Sequence, residues 1–452
     1  MHLRQRVPEP DAGRDSTLVE NPCTPTVKRQ PLPLLLKNGK IVPMQRKKWI
    51  ILILIACTLL SGCQPALSLP GLEPDGYGDK VEPNITLTPN PAPTHTHSPV
   101  TATTEPVSLS ATVWESLPQA PILMYHRFFP QPDARSEKYR IPLIEFDAHL
   151  QALYEAGFSL VALEAWLRGE IEVPPGRRPL ILTMDDLFYG DQLSLGDDGQ
   201  PTDYSGIGRL WQFSQDHPDF GFSAALFYNF GDKPYSNSYT NGVFSVEDGW
   251  RQARAEAIVW AIEHGAIPMN HFYDHPYLDT LEPDEIEWQL TENDRALREA
   301  LAIAGREDLA KDLPNILALP YVIWPKTDAG KQVLLDYVSP EGAPVAAILE
   351  ASEAPFARPF PSPFSPDFDP LRVPRVNATR DAIETVIAMA EDLPTATVCD
   401  LGKFSLNPHL DLIQVKEAIL TRTEHGNCPE GVYLVEGFAF QLLNNEITQF
   451  SP

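Results

Sequence analysis

After Pro118 the chain alternates short apolar runs with segments of helical periodicity, and this alternation constrains its fold more than any other feature. The runs are "PILMY" from Pro121, "SLVAL" from Ser159, "PLILTM" from Pro179, "SAALFYNF" from Ser223, "AIPMN" from Ala266, "NILALPY" from Asn315 and "VAAILE" from Val345. Runs of this length, apolar at nearly every position, suit strands covered on both faces, which is the condition of a parallel sheet flanked by helices. Between them, "IEFDAHLQALYEAG" places Ile144, Phe146, Leu150, Leu153 and Tyr154 on a helical stripe that stops at Gly157. "GWRQARAEAIVWAIEHG" ends the same way at Gly265, and "LEPDEIEWQLTENDRALREALAIAG" opens with acids that suit the positive end of a helix dipole. The expected architecture is α/β with a largely parallel sheet.

What precedes Pro118 reads differently. "MQRKKWIILILIACTLLSGCQP" starts at Met44 with Arg46, Lys47 and Lys48, and continues into an apolar stretch too short to span a bilayer but suited to a secretion signal. Its end, Leu60-Ser61-Gly62-Cys63, looks like a bacterial lipobox, which implies cleavage before Cys63, acylation of the Cys63 thiol and an extracytoplasmic protein anchored in a cell membrane. Residues 1–43 carry no periodic pattern and read as an over-extended start or a non-globular segment. From Gln64 to about Pro118 the composition is rich in Pro, Thr and Ser, so 63–118 is expected to be a disordered, lipid-anchored linker that includes His95 and His97. Cys399 and Cys428 are left free to pair outside the cytoplasm. The formal net charge of −26 argues against nucleic acid or an anionic membrane surface as a partner.

Two stretches carry chemistry. In "PLILTMDDLFYG" an apolar strand runs directly into Asp185 and Asp186, placing paired carboxylates at a strand's C-terminal end, where parallel sheets and barrels carry their sites. Adjacent carboxylates repel unless a proton or a cation relieves them. In "MNHFYDHPYL" His271 and His275 are four apart, but Pro276 disfavours helix at His275 and Pro268 breaks any helix arriving from Gly265, so the pair belongs to a loop leaving a strand. With Asp186 they form a two-His, one-carboxylate set with open positions, suited to zinc and compatible with other first-row metals. Two further strand ends carry Tyr125-His126 and Pro320-Tyr321.

In this order the four pieces resemble the polysaccharide deacetylases of the NodB-homology type, carbohydrate esterase family four, and most of all the exported poly-N-acetylglucosamine deacetylase-like members that begin with a "YH" strand. "LTMDD" is similar to the family's aspartate pair, "NHFYDHP" to its HxxxH motif, "ALPY" to its proline-tyrosine motif, and "DPLRVPRV" at 369–376 to a late Leu-Pro-Arg segment. The resemblance spans roughly 119–377 and implies a distorted (β/α) barrel, with 378–452 an extension packed on it. It also implies that Asp186, His271 and His275 bind a divalent metal, with zinc the expected ion, and that Asp185 is the general base and His126 the acid for the leaving amine. The Tyr321 backbone N–H would be an oxyanion donor. Arg375 either orients Asp185 or is a surface or ion-pair arginine, and Trp324 either stacks on a sugar or packs. The expected reaction is hydrolysis of N-acetyl or O-acetyl groups on an acetylated cell-surface or cell-wall glycan.

Three residues depart from the family pattern: Leu187 follows the aspartates where glycine is usual, Phe272 follows His271 where a small hydroxyl residue is common, and Val322 follows Tyr321 where glycine is common. All three are expected beside the substrate, which keeps open a second reading, a catalytically silent carbohydrate-binding or envelope-scaffold lipoprotein of the same fold. "LSLGDDGQPTDYSGIG" reads as an inserted loop that could wall a cleft, with Asp197 and Asp198 in a solvated turn. His149 is expected on a helix surface, His217 in a loop and His264 at a helix C-terminus.

Overall fold

The computed structural model describes residues 36–37, 40–41, 106–130, 139–186, 190–231, 248–352, 360–404 and 410–451. The chain divides into two units, 1–97 and 98–452. Of the first, the described part is an antiparallel pair of two-residue strands, Leu36–Lys37 and Lys40–Ile41. The secretion signal expected at 44–62, Cys63 and the linker as far as residue 105 lie outside the described residues.

The second unit begins with β1 (Val107–Trp114) and β2 (Ile122–Tyr125), followed by a short parallel pair, β3 (Arg127–Phe129) and β4 (Arg140–Pro142). Next come α1 (Leu143–Glu155), β5 (Phe158–Leu160), α2 (Leu163–Leu167), β6 (Arg178–Asp185), α3 (Gly206–Asp216), β7 (Ala224–Tyr228) and α4 (Asp248–His264). They are followed by β8 (Ala266–Asn270), α5 (Pro283–Ile303), β9 (Ile316–Ala318), α6 (Asp328–Asp336), β10 (Ala347–Ser352), β11 (Val373–Asn377) and α7 (Arg380–Met389). The chain ends with β12 (Thr397–Phe404), α8 (Leu412–Glu424), β13 (Gly431–Val435), β14 (Phe438–Leu443) and β15 (Glu446–Phe450).

Seven of these strands close on themselves, in the order β2-β11-β10-β9-β8-β7-β6 and back to β2, every pairing parallel. The result is the expected (β/α) barrel. Its distortion lies in β6, which pairs first with β5 through Arg178, Pro179 and Leu180 and then with β2 through Ile181 to Met184. The period-2 alternation of each strand divides its side chains between two cores. Ile122, Ile181, Ala225, Phe227, Met269, Ile316, Ala318, Leu349 and Val373 fill the barrel, whereas Leu123, Leu180, Leu182, Met184 and Leu226 meet the helices outside. Eight-residue β6 serves both, and its last residue is Asp185.

Five further strands form one antiparallel sheet, ordered β12-β1-β13-β14-β15. Here the structure corrects the sequence reading, which ran the linker on to residue 118. Val107–Trp114 is a strand that pairs on one edge with β12 and on the other with β13. Its outward positions are Ser108, Ser110 and Thr112, and these polar residues masked the alternation of Leu109, Ala111 and Val113, all of which are buried. Trp114, Val432 and Ala439 of this sheet share a cluster with the barrel interior, so the 378–452 extension packs on the barrel together with β1. Cys399 on β12 and Cys428 before β13 form a disulfide across a sequence separation of 29, a closure that contributes about 3–4 kcal/mol in the chain-entropy account.

β11 was not foreseen as a strand, because Pro374 interrupts "VPRVN". His149 departs from its expected surface position: it is 5% exposed, with Nδ1 3.3 Å from the Tyr125 hydroxyl and Nε2 3.8 Å from Glu145. The buried stripe of α1 is shifted from the one read in the sequence: it takes in Leu143 and His149 with Phe146, Leu150 and Leu153, while Ile144 is exposed.

Candidate active site

Strand alternation assembles the centre of the site. Thr183 and Asp185 are in phase with Ile181 on β6, Arg375 is in phase with Val373 on β11, and His271 is in phase with Met269 at the end of β8, so all four turn toward the barrel axis. Arg375 is fully buried and binds Asp185 through both of its terminal nitrogens, at 2.5 and 2.8 Å, while also donating to the Thr183 hydroxyl at 3.1 Å. Its guanidinium lies 4.9 Å from the centroid of the Phe227 ring. Arg375 is therefore not a surface arginine: it is buried and paired with Asp185. Burial alone would push the Asp185 carboxyl up, but the charge of Arg375, helped by His271, the Arg375 hydrogen bonds and His126, outweighs it and holds the group at about 2.

Asp186 leaves the strand. Its φ of 55° is left-handed, and this turns its side chain from the β6 alternation toward the loop that follows β8. There Asp186 Oδ1 accepts from Asn229 Nδ2 at 2.8 Å and lies 3.5 Å from His271 Nε2 and 3.3 Å from His275 Nε2. His271 Nδ1 is 2.8 Å from the Ala318 carbonyl, which can only accept, so Nδ1 carries the hydrogen and Nε2 presents its lone pair to the cluster. Left-handed φ recurs at Phe272, His275, Tyr321 and Val322, so five of the eight non-glycine residues with positive φ among the described residues belong to this one region. Backbone strain on that scale persists only where surrounding contacts over-determine it.

The donor set fits a divalent metal. One ligand atom each from Asp186, His271 and His275 lies within 4.8 Å of the others. Two tetrahedral ligands held about 2.0–2.1 Å from a common ion sit about 3.3 Å apart, close to the two Asp186–histidine distances. Burial keeps both imidazoles neutral, the form that ligates: it pushes His271 below its ordinary value, and with the repulsion of His271 it takes His275 down to about 2.

The remaining sequence-designated residues surround this cluster. The β2–β6 register pairs Tyr125 with Met184, which sets His126 beside Asp185 at the adjacent strand ends, and the His126 ring meets Tyr139 edge-on at 4.7 Å. Tyr321 is 44% exposed, its ring 4.4 Å from that of His275 and stacked at 4.2 Å on Tyr277, which is 53% exposed. Trp324 packs: its indole N–H donates to Glu350 at 2.6 Å, and Arg372, which also binds Glu350, lies over its ring.

The departures resolve unequally. Leu187 lies outside the described residues. Phe272 does not face the substrate side, correcting the expectation. It is fully buried with Leu278, Ile286, Leu290, Leu317 and Leu319 beneath the loop. Val322 is 37% exposed and follows Tyr321 in the same left-handed turn.

Sequence reasoning missed Asn229, although a polar residue ending "SAALFYN" is the same kind of signal as Asp186 and His271 at their strand ends. It also missed Gln192, immediately before the inserted loop, a fully buried amide that donates to the backbone carbonyls of His126 and Asp185. That bond ties together the two strand ends just beyond the last β2–β6 pairing. The nearby Asp197 and Asp198 are exposed, as expected.

Fold and site together define a closed parallel barrel with a His2-carboxylate cluster and a buried Arg–Asp pair at the C-terminal strand ends. No protein-family model matches the chain, and no curated protein matches it. Among solved structures, it is similar to a Streptococcus pyogenes deacetylase, PplD in complex with acetate, at 16% identity over 60% of this chain and 98% of that one, with a TM-score of 0.39. It is also similar to IcaB from Ammonifex degensii, at 19% identity over 61% and 99% of the two chains and a TM-score of 0.37. A third is a de-N-acetylase from Aggregatibacter actinomycetemcomitans, at 11% identity over 59% and 99%, with a TM-score of 0.38.

Proposed function

We propose that the chain is a metal-dependent deacetylase that hydrolyses N-acetyl, or O-acetyl, groups on a cell-surface or cell-wall glycan. The observation that carries this reading is the division of labour between neighbouring carboxylates: Asp186 converges with two neutral histidines, while Asp185 is held by Arg375. A divalent ion held by Asp186, His271 and His275, with zinc the expected one, supplies Lewis acidity that acidifies water and polarises an acyl oxygen.

The chain's own residues do the rest. Asp185, an acceptor with lone pairs beyond those Arg375 uses, takes a proton from the attacking water. Arg375 keeps that carboxylate ionised and fixes its plane. His126, beside Asp185, gives a proton to the leaving amine or alcohol. The backbone N–H of Tyr321 is the proposed donor to the oxyanion. The exposed faces of Tyr277 and Tyr321 offer apolar, π-rich surface of the kind a sugar ring packs against.

The test is acetate release from chitooligosaccharides and from acetylated xylan, before and after chelation. Activity on at least one substrate, lost with chelator and restored by zinc, is the expected result. Metal-replete protein that releases acetate from neither sinks the enzyme reading and leaves the silent carbohydrate-binding one.

The protein is further proposed to act outside the cytoplasm of a bacterium, anchored to a membrane through acylated Cys63, on the strength of the "LSGC" sequence and the basic-apolar segment before it. Metabolic labelling with an alkynyl fatty acid is expected to tag the wild type and not Cys63→Ala. Equal labelling of both removes the anchor.

A further inference from the structure

The loop that carries His271 and His275 is neither helix nor strand, and two of its residues, Phe272 and His275, have left-handed φ values of 64° and 51°. A free loop of this kind would sample many separations of its two imidazoles, and binding a metal would then cost the entropy of choosing one. One helix face removes that freedom. The four successive backbone N–H groups from His271 to Asp274 are each engaged: His271 with the Tyr228 carbonyl at 2.9 Å, Phe272 with Asn270 Oδ1 at 2.9 Å, Tyr273 with the Gln289 carbonyl at 3.1 Å, and Asp274 with Gln289 Oε1 at 2.7 Å.

The partners trace back to α5. Gln289 supplies two of the four acceptors, and its Nε2 also reaches Asp274 Oδ2 at 3.3 Å. One helical turn on, Asn293 donates to Asn270 Oδ1 at 2.9 Å and so aims the acceptor that holds Phe272. Asp294 accepts from Asn270 Nδ2 at 2.7 Å and from the hydroxyls of Tyr228 and Tyr337. Gln289 is 6% exposed and Asn293 fully buried, and an amide is buried at this depth only where its hydrogen bonds are satisfied. Below the same loop the Phe272 ring is anchored against Ile286 and Leu290 of α5.

We infer that Gln289 is a positioning residue for the metal site, a template on α5 that fixes the spacing of His271 and His275 before any ion arrives. The inference rests on the reading that Asp186, His271 and His275 bind a metal. Asn270 and Asn293 extend the template, but Gln289 alone touches the segment between the two histidines with both backbone and side chain. It makes no contact with the ligand atoms, so its effect passes entirely through the loop.

The test is zinc affinity of the purified full-length protein by competition with a chromophoric chelator, read alongside the melting temperature. Gln289→Met keeps the side-chain length and loses both amide functions. It is expected to weaken zinc binding at least tenfold, about 1.4 kcal/mol. Gln289→Asn, which withdraws the amide by one methylene, is expected to fall between it and wild type. Leu153→Ala, a cavity in the separate core under α1, lowers the melting temperature and is expected to leave zinc affinity within about twofold. Gln289→Met binding zinc as tightly as wild type overturns the inference, as does a loss of affinity that tracks melting temperature across all three variants. Wild-type protein that binds no zinc overturns the metal-site reading, and this inference with it.

Discussion

Asp185→Asn is expected to lower kcat for acetate release by about 10²–10⁴-fold, the range a positioned general base contributes, with metal content unchanged. Asparagine preserves the shape of the side chain but cannot take a proton at neutral pH. None of the three proposed metal ligands is replaced: Asp186 turns away from Asp185 at its left-handed φ, and the nearest of the others, His271 Nε2, stands 3.8 Å from Asp185 Oδ2. KM should move little, since Asp185 is 2% exposed and offers substrate almost no surface. Parallel measurement of kcat, KM and bound zinc separates these expectations. A variant that keeps kcat within tenfold of wild type would show that the proton goes elsewhere.

Arg375→Leu is expected to have the largest effect on stability. It leaves Asp185 inside the barrel with no facing guanidinium, and removing one partner of a buried pair costs about 3–5 kcal/mol. In a domain of this size that corresponds to a melting temperature lower by roughly 10 °C. The pH dependence has a definite sign. In wild type the Asp185 carboxyl is held at about 2, below its unfolded value, so its contribution is present above the ordinary carboxylate range and is lost as pH falls through about 2. In the variant, burial raises the carboxyl with much less to oppose it, so the deficit is fully developed at pH 7 and closes as pH falls. The acid limb of any remaining activity should move up for the same reason. Melting temperatures of the two proteins from pH 7 to pH 3 check this, and curves that stay parallel would contradict it.

The alternation of apolar runs and helices was enough to foresee an α/β fold with a largely parallel sheet, because a strand covered on both faces leaves little choice of composition; its closure into a barrel was implied only by the family resemblance. "MDD", "HFYDH", "YH" and "PY" were legible for a related reason: each sets polar or strained residues directly after an apolar run, where strand ends open onto the site. What stayed hidden shares a different cause. β1 is a strand by alternation, but its outward Ser and Thr residues matched the polar linker before it. β11 is broken by Pro374, so Arg375 could not be assigned to the barrel interior, and the choice between orienting and surface arginine had to wait for the strand's phase. Phe272 looked like an intruder beside the substrate. Its left-handed backbone turns the ring under the loop instead, a reversal that depends on α5 contacts some fifteen residues away in sequence. Asn229, Gln192 and Gln289 act through the hydrogen bonds of one isolated amide side chain each, which leaves no periodic trace in a sequence.

Asp186, His271 and His275 are proposed to hold one divalent metal. The most direct measurement is anomalous X-ray diffraction from crystals of the zinc-loaded protein. One peak per chain is expected, about 2.0–2.2 Å from an Asp186 carboxylate oxygen and from Nε2 of both histidines. Zinc-loaded crystals with no peak between these three side chains, or with the zinc bound elsewhere on the chain, would contradict it.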